Sequence, residues 1–237
     1  MLKDLNIENV LFLDIETVPA EEAFFNLDED WQVLWKEKSN FYRKKEEIEL
    51  SDSYQRAGIY AEFGKIVCIS AGFIRQKIGE KNLRVTSFYS DDEKELLVEF
   101  SNLLNQHFNM PYHLLCAHNG KEFDFPYIAR RMVINGLPLP DLLDSAGKKP
   151  WDIKHLDTME LWKFGDFKAY TSLHLLTKVF DIPTPKDDID GSKVAHMYYE
   201  EKNLERIERY CKKDVVALVQ LMMKYKGEEL IKEIVEV

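Results

Sequence analysis

Apolar positions along the first part of the chain alternate in some segments and recur at helical spacing in others. β-branched and aromatic residues indicate strands at 10–17, 66–74, 83–89 and 113–118. Apolar residues spaced three or four apart indicate helices at 91–108 and 122–135. The second and third strands are joined by a hairpin loop at 77–82. This order of elements predicts an α/β sandwich with a mixed sheet.

Two further segments read as mainly helical. Residues 20–60 are polar, contain Trp31, Trp35 and Tyr42, and are poor in Pro and Gly, which indicates helices outside the sheet rather than a linker. Beyond Asp141, helices are predicted at 171–180 and 203–225, with a Pro- and Asp-rich loop at 181–190 between them and Asn203 as a helix cap. We expect one domain over residues 1–237, with a helical insertion at about 20–60.

The first strand carries two acids in an apolar setting. Alternation places Asp14 and Glu16 on the same face as Val10 and Phe12. Two neighbouring anions on a buried face are costly unless a cation lies between them, and a divalent metal is the usual solution. The same spacing at Asp91 and Glu93 opens a helix, where negative charge is favourable without any metal.

Two more acids stand out in the later elements. Asp214 falls on the apolar stripe of the last predicted helix, with Tyr210 one turn before it. Asp124 follows the strand at 113–118, and carboxyl ends of strands are where open α/β folds place their sites. Taken alone, Asp124 is also an ordinary helix-capping residue and Tyr210 an ordinary half-buried tyrosine.

As a set, these residues resemble the motifs of the DEDD superfamily of 3′-to-5′ exonucleases. The first motif, Asp-x-Glu, is matched by Asp14 and Glu16 in LFLDIET, and the last, Tyr-x-x-x-Asp, by Tyr210 and Asp214 in YCKKDVVAL. The middle motif is matched by HNGKEFDFPYIARR, which contains Asn119, Phe123 and Asp124. The sequence is most similar to the predicted exonucleases related to the proofreading domain of family B DNA polymerases. Tyr210 places it in the tyrosine subclass; the other subclass has His where this chain has Arg209.

The resemblance implies a ribonuclease H-like fold, with a mixed five-stranded sheet flanked by helices. It also implies two Mg²⁺ or Mn²⁺ ions held by Asp14, Glu16, Asp124 and Asp214, with Asp14 bridging both. The Tyr210 counterpart orients the attacking water, and Thr17, Asn119 and Phe123 would bind substrate. Asp157 is left out of the metal set, because helix capping explains it about as well.

Composition narrows the class of protein. A hydrophobic fraction of 45% and a charged fraction of 31% are those of a folded soluble protein, and a net charge of −10 argues against a generally nucleic-acid-coating surface. The charged amino terminus does not resemble a signal peptide, and no apolar run is long enough for a membrane span. Cys68, Cys116 and Cys211 lack metal-type spacing and indicate buried thiols in a reducing compartment. We therefore expect a cytoplasmic protein without a membrane partner.

The expected partner is nucleic acid with a free 3′ end, with single-stranded DNA as the substrate. Three alternatives remain open at this stage. An exoribonuclease acting on short RNA would keep the chemistry, since no residue identifies a reader of the 2′-hydroxyl. A catalytically silent nucleic-acid-binding module is disfavoured, because bare carboxylates do not help to bind phosphate. A structural α/β protein would use the same acids only as caps and surface charges.

Overall fold

The chain folds around one mixed sheet. The computed structural model describes residues 2–77, 79–166, 170–183 and 191–237. Its strands are β1 (Val10–Pro19), β2 (Gly64–Lys77), β3 (Glu80–Tyr89), β4 (Leu114–Ala117), β5 (Leu156–Asp157) and β6 (Glu233–Glu236). They are ordered β5-β4-β1-β2-β3-β6. Strand β2 is antiparallel to both β1 and β3, whereas β4 and β5 run parallel to β1. The carboxyl ends of β1, β4 and β5 therefore meet at one edge of the sheet.

Helices cover both faces of the sheet. They are α1 (Glu29–Glu46), α2 (Leu50–Ser53), α3 (Glu93–His107), α4 (Asp124–Ile134), α5 (Thr158–Lys163), α6 (Leu173–Val179), α7 (Val194–Tyr199) and α8 (Leu204–Lys226). Leu11, Leu13 and Ile15 of β1 share a core with α3 and α4. Val10 and Phe12, on the opposite face, pack with α8 residues such as Leu218. The period of two along β1 thus assigns Asp14 and Glu16 to the face covered by α8.

The predicted elements agree with the structure to within a few residues at their ends. Asn203 caps α8 as expected, because its side chain accepts a hydrogen bond from the backbone N–H of Arg206 at 3.1 Å. The mixed α/β architecture is confirmed. Part of the loop predicted at 181–190 and residue 78 of the predicted hairpin loop lie outside the described residues.

The expected number of strands was wrong, because the described residues form six strands rather than five. The additional strand, β6, pairs in parallel with β3 at the edge of the sheet. Its residues are mostly exposed, so its sequence carries no strong apolar alternation. Strand β6 forms because its backbone pairs with the open edge of β3, and burial of the β6 side chains contributes little.

The segment between β1 and β2 has its own aromatic core. Trp35 of α1 is fully buried, and its indole N–H donates to Ser53 Oγ at 3.0 Å. Tyr54 and Phe63 pack edge-on against the Trp35 ring. The aromatic residues that punctuate this polar stretch therefore form the interior of a helical excursion from the sheet.

No helix in the described part of the chain is both long enough and apolar enough to cross a membrane. All three cysteines are free and buried, as their apolar surroundings predict.

Candidate active site

The site begins at the carboxyl half of β1. Glu16 is only 8% exposed and Asp14 is partly buried, both on the face covered by α8. The pairing of β1 with β2 shifts register between Glu16 and Thr17. Such an irregularity bends a strand locally and re-aims its side chains, and it is common beside active sites. It lies here directly after the second acid.

Asp124 approaches these acids from the end of β4. It is the first residue of α4 and is 4% exposed. Burial raises the pKa of Asp124 to about 7, although hydrogen bonds from its own backbone and from the Ile15 backbone oppose the rise. The bond to Ile15 ties this carboxylate to the strand that carries Asp14 and Glu16.

Helix α8 supplies the fourth acid and the tyrosine. Asp214 is partly exposed, and its charge raises the pKa values of both Asp14 and Glu16. Tyr210 is hydrogen-bonded to Asp214, and burial, followed by the charge of Asp214, raises the pKa of its hydroxyl above the usual value. Tyr210 therefore remains protonated and acts as a hydrogen-bond donor.

The four carboxylates form one electrostatic unit. Desolvation is the largest cause that raises the pKa values of Asp14 and Glu16, and repulsion from neighbouring acids adds to it. Residues from β1, α4 and α8, separated by up to 200 positions in the sequence, are brought together. A cation bound among them would remove this repulsion.

The structure places the three predicted substrate residues around this unit in different ways. Thr17 is partly exposed, and its side chain is hydrogen-bonded to the Tyr127 hydroxyl, which itself donates to the backbone of Gly58 at 2.8 Å. Phe123 is partly buried, with its ring centroid 5.3 Å from that of Tyr127. Both residues therefore have structural contacts in addition to any contact with substrate.

Asn119 has an unusual environment. Its backbone adopts a left-handed conformation, with φ of 67°, which Asn tolerates better than most residues. Its side chain is hydrogen-bonded to the Tyr170 hydroxyl, yet its Oδ1 atom is buried and has no hydrogen-bond partner among the described residues. A buried acceptor without a donor is costly, which marks this atom as available to a ligand.

Asp157 has a role that the sequence left undecided. Its carboxylate accepts hydrogen bonds from the backbone N–H groups of Met159 and Glu160, which cap α5. It also accepts from the backbone N–H groups of Asn119 at 3.0 Å and Lys121 at 3.1 Å. Asp157 therefore joins the cap of α5 to the loop that carries Asn119. Only the Asp-Thr pair after a short strand could have suggested this in the sequence.

His118 is committed to structural contacts. Its Nε2 donates to the backbone carbonyl of Thr171 at 2.8 Å, so its Nδ1 accepts from the Thr158 hydroxyl at 2.9 Å. Burial lowers the pKa of His118, which is consistent with this neutral form. Both ring nitrogens of His118 are thus occupied, so His118 is not free to orient a water molecule.

The mixed sheet and the helices on its two faces form a ribonuclease H-like fold, in which acids from β1, α4 and α8 come together. The family described as predicted 3′-5′ exonucleases related to the exonuclease domain of family B DNA polymerase matches residues 59–231, which is most of the chain. The protein belongs to this family. The match includes Asp124, Tyr210 and Asp214, whereas Asp14 and Glu16 precede it.

Individual relatives are polymerases of much greater length. A DNA polymerase of Pyrococcus glycovorans is 22% identical over 142 residues, which is 54% of this chain and 18% of the polymerase. The structure of the family B DNA polymerase from the archaeon Pyrobaculum calidifontis superposes with a TM-score of 0.56 and 16% identity. That superposition covers 91% of this chain and 24% of the polymerase. The chain thus spans about a fifth to a quarter of these relatives, and the structural likeness shows the fold.

Proposed function

We propose that the protein is a metal-dependent 3′-to-5′ exonuclease that removes nucleotides from the 3′ end of single-stranded DNA. The observation that carries this proposal is the convergence of Asp14, Glu16, Asp124 and Asp214 in one partly buried unit, in which the pKa values of the first three are raised. A structural protein would gain nothing from such repulsion. The family to which the chain belongs supports the reaction class.

The donor set fits hard divalent cations. All four groups are carboxylates, the ligand type that Mg²⁺ and Mn²⁺ prefer. Glu16 is more than nine-tenths buried as a residue, and its carboxylate makes no hydrogen bond or ion pair within the described residues. An ionised carboxylate in that position requires a cation. Asp14, Glu16, Asp124 and Asp214 would therefore hold the metal.

Two bound divalent ions would supply a nucleophilic hydroxide and stabilise the charge that develops on the phosphate and the leaving oxygen. The contribution of Tyr210 is orientation. Because its hydroxyl stays protonated beside Asp214, it can position a water molecule by hydrogen bonding but does not act as a base.

The substrate would approach along the loop between β4 and α4. Asn119 Oδ1, which is buried without a partner among the described residues, is suited to accept a hydrogen bond from the terminal nucleotide. The exposed part of the Phe123 ring is suited to stack on a base or sugar. Thr17, next to the strand irregularity, would contact the backbone of the terminal nucleotide.

The test is degradation of a 5′-end-labelled single strand of DNA with Mn²⁺, with EDTA as the metal-free control. A ladder of progressively shorter labelled products is expected. Immediate release of a labelled mononucleotide would contradict the assigned polarity. An RNA oligomer of the same sequence is first added as an unlabelled competitor and then tested as the labelled substrate. The oligomer that is degraded faster identifies DNA or RNA as the substrate.

The matched variants for this test are Asp214→Asn and Asp141→Asn. Asp214→Asn should lower turnover by at least about 10²-fold while leaving the metal-free fold at least as stable, because one like charge leaves a crowded site. Asp141 is exposed, outside the acidic unit, and its replacement should change neither activity nor stability. Unchanged activity per folded molecule of Asp214→Asn would show that Asp214 is structural.

A further inference from the structure

A thiol lies within the acidic site. The Sγ atom of Cys211 and carboxylate oxygens of Asp14 and Glu16 all lie within 4.8 Å of one another. Cys211 is fully buried, and its S–H donates to the backbone carbonyl of Asp14 at 3.3 Å. This sulfur belongs to the same cluster as the two carboxylates of β1 and comes from the helix that carries Asp214.

The sequence explains why the sulfur points into the site. Cys211 precedes Asp214 by three residues on α8, so both project from one side of the helix. The side chain packs on β1 near Glu16, whose neighbour across the sheet is Cys68. Cys211 is hydrogen-bonded to the Cys68 thiol. Packing between α8, β1 and β2 therefore holds this sulfur beside the acids.

Glu16 is the independent indication that a cation binds at this point. Glu16 as a residue is 8% exposed, and it makes no hydrogen bond or ion pair within the described residues, although its carboxylate lies within 4.8 Å of ligand atoms of both Asp14 and Cys211. A carboxylate buried in this way is stabilised by a cation bound to it.

A thiolate changes which cation such a group selects. Oxygen ligands alone suit Mg²⁺ and Mn²⁺, whereas a sulfur ligand favours softer ions. Zn²⁺ also binds mixed ligand sets more tightly than Mn²⁺ does, and a sulfur ligand increases this difference in affinity. Zn²⁺ binds sulfur at about 2.3 Å and carboxylate oxygen at about 2.0–2.2 Å, so tetrahedral ligands lie roughly 3.5 Å apart. The three ligand atoms of this cluster lie within 4.8 Å of one another, so each pair exceeds that spacing by at most about 1.3 Å.

We propose that Asp14, Glu16 and Cys211 form a mixed thiolate and carboxylate site that binds Zn²⁺ and similar soft cations in competition with Mg²⁺ or Mn²⁺. The inference rests on the proposed role of Asp14 and Glu16 as metal ligands and adds a regulatory ligand to that site. On binding, the S–H bond of Cys211 breaks, its proton passes to solvent, and the sulfur lone pair forms the bond to the metal. Zn²⁺ bound there occupies carboxylates that the hard ions need, and it inhibits hydrolysis.

Cd²⁺ is the direct probe, because a cadmium–thiolate bond produces an ultraviolet charge-transfer band that carboxylates do not produce. Metal-free, reduced protein is titrated with Cd²⁺, and Zn²⁺ is then added to displace it. The wild-type protein should develop the band in proportion to one site and lose it on addition of Zn²⁺. Absence of the band in the wild-type protein would overturn the proposal.

Serine variants locate the sulfur. Cys211→Ser should abolish the band and weaken Zn²⁺ binding, measured by calorimetry, by at least about tenfold. Cys116 is a buried thiol on β4, outside the cluster, and Cys116→Ser should behave as wild type. Cys68→Ser should retain the band. A band that persists in Cys211→Ser and is lost in Cys68→Ser would overturn the assignment of Cys211, and thermal melting of each variant confirms that it is folded.

The outcome is separable from that of the proposed nuclease activity. Degradation of DNA with Mn²⁺ is measured on the wild-type protein alone. A cadmium band without any hydrolysis would leave the thiol site in place and contradict the exonuclease proposal. Hydrolysis without a band would contradict only the thiol site.

Discussion

At the scale of single residues, the environment of a side chain decides its chemistry more than its type does. Asp14 and Glu16 are ordinary carboxyl groups whose burial beside other acids raises their pKa values. Asp157, also buried, is satisfied by backbone N–H groups from two segments. Glu16, in contrast, makes no hydrogen bond or ion pair within the described residues, which makes it a stronger candidate for a metal ligand than Asp157.

Tyr210 gives the sharpest prediction at this scale. If its hydroxyl only orients water, Tyr210→Phe should lower turnover by about 10²-fold while Mn²⁺ and DNA binding remain unchanged. Single-turnover kinetics at saturating Mn²⁺ measure the effect. Tyr225 is the matched control on α8, because its hydroxyl donates to the backbone of Thr158 at 3.3 Å. Equal turnover of Tyr210→Phe, Tyr225→Phe and wild type would make Tyr210 a packing residue.

At the scale of elements, the site depends on a loop that a helix cap holds in place. The segment between β4 and α4 carries Asn119, and the Asp157 carboxylate at the start of α5 holds it through two backbone N–H groups. The parallel pairing of β4 with β5 brings the two segments side by side. The role of the short strand β5 is therefore to position Asp157 beside this loop rather than to bury surface area.

We predict that Asp157→Asn disturbs this loop without removing any metal ligand. An amide can accept at only one of its two positions, so one backbone N–H loses its partner, at a cost of about 1–3 kcal/mol in the free energy of unfolding. The KM for DNA should rise, with little change in Mn²⁺ affinity, as measured by steady-state kinetics and metal titration.

The matched control for this prediction is Asp92→Asn. Asp92 caps α3 through the backbone N–H groups of Lys94 and Glu95, and none of the hydrogen bonds described for it reaches the loop with Asn119. This variant should lose some stability and keep the KM of the wild type. If both variants shift KM equally, general destabilisation rather than the loop explains the effect.

At the scale of the whole molecule, the site acids lower the stability of the metal-free fold at neutral pH. A carboxyl whose pKa is higher in the folded than in the unfolded state binds more protons when folded, so its contribution to stability falls as the pH rises from about 4 to about 7. Burial lowers the pKa values of His118 and His155, whose contributions run in the opposite direction. The effect of one acid on the pH dependence of stability is therefore measured by comparing its variant with the wild-type protein at each pH.

We predict that Asp124→Asn in EDTA has a higher melting temperature than the wild type, and that this difference is small at pH 5 and larger at pH 8. At pH 5 Asp124 is neutral in the folded wild-type protein, whereas at pH 8 it is ionised, and the buried charge lowers the free energy of unfolding. Millimolar Mn²⁺ should raise the wild-type melting temperature by about 5–10 °C if its concentration is 100 times Kd, and more at pH 8 than at pH 5. Differential scanning calorimetry measures both effects. A variant less stable than wild type at pH 8 without metal would show that Asp124 is stabilising in its ionised form.

Features that depend on local periodicity were predictable from the order of residues. Alternation along β1 assigned Asp14 and Glu16 to one face, helical spacing aligned Tyr210 with Asp214, and Asn203 marked the start of α8. Such patterns are readable because neighbours in sequence are also neighbours within a strand or helix. The motifs built on them also carried the resemblance to the exonuclease family.

The contacts between distant segments became apparent from the folded chain. It brought the acids of β1, α4 and α8 together, placed Cys211 among them, and engaged both ring nitrogens of His118. It also paired β6 with the open edge of β3, although the side chains of β6 are mostly exposed. These contacts join residues far apart in the chain. They depend on how whole strands and helices pack against one another, and no local pattern of residues encodes that packing.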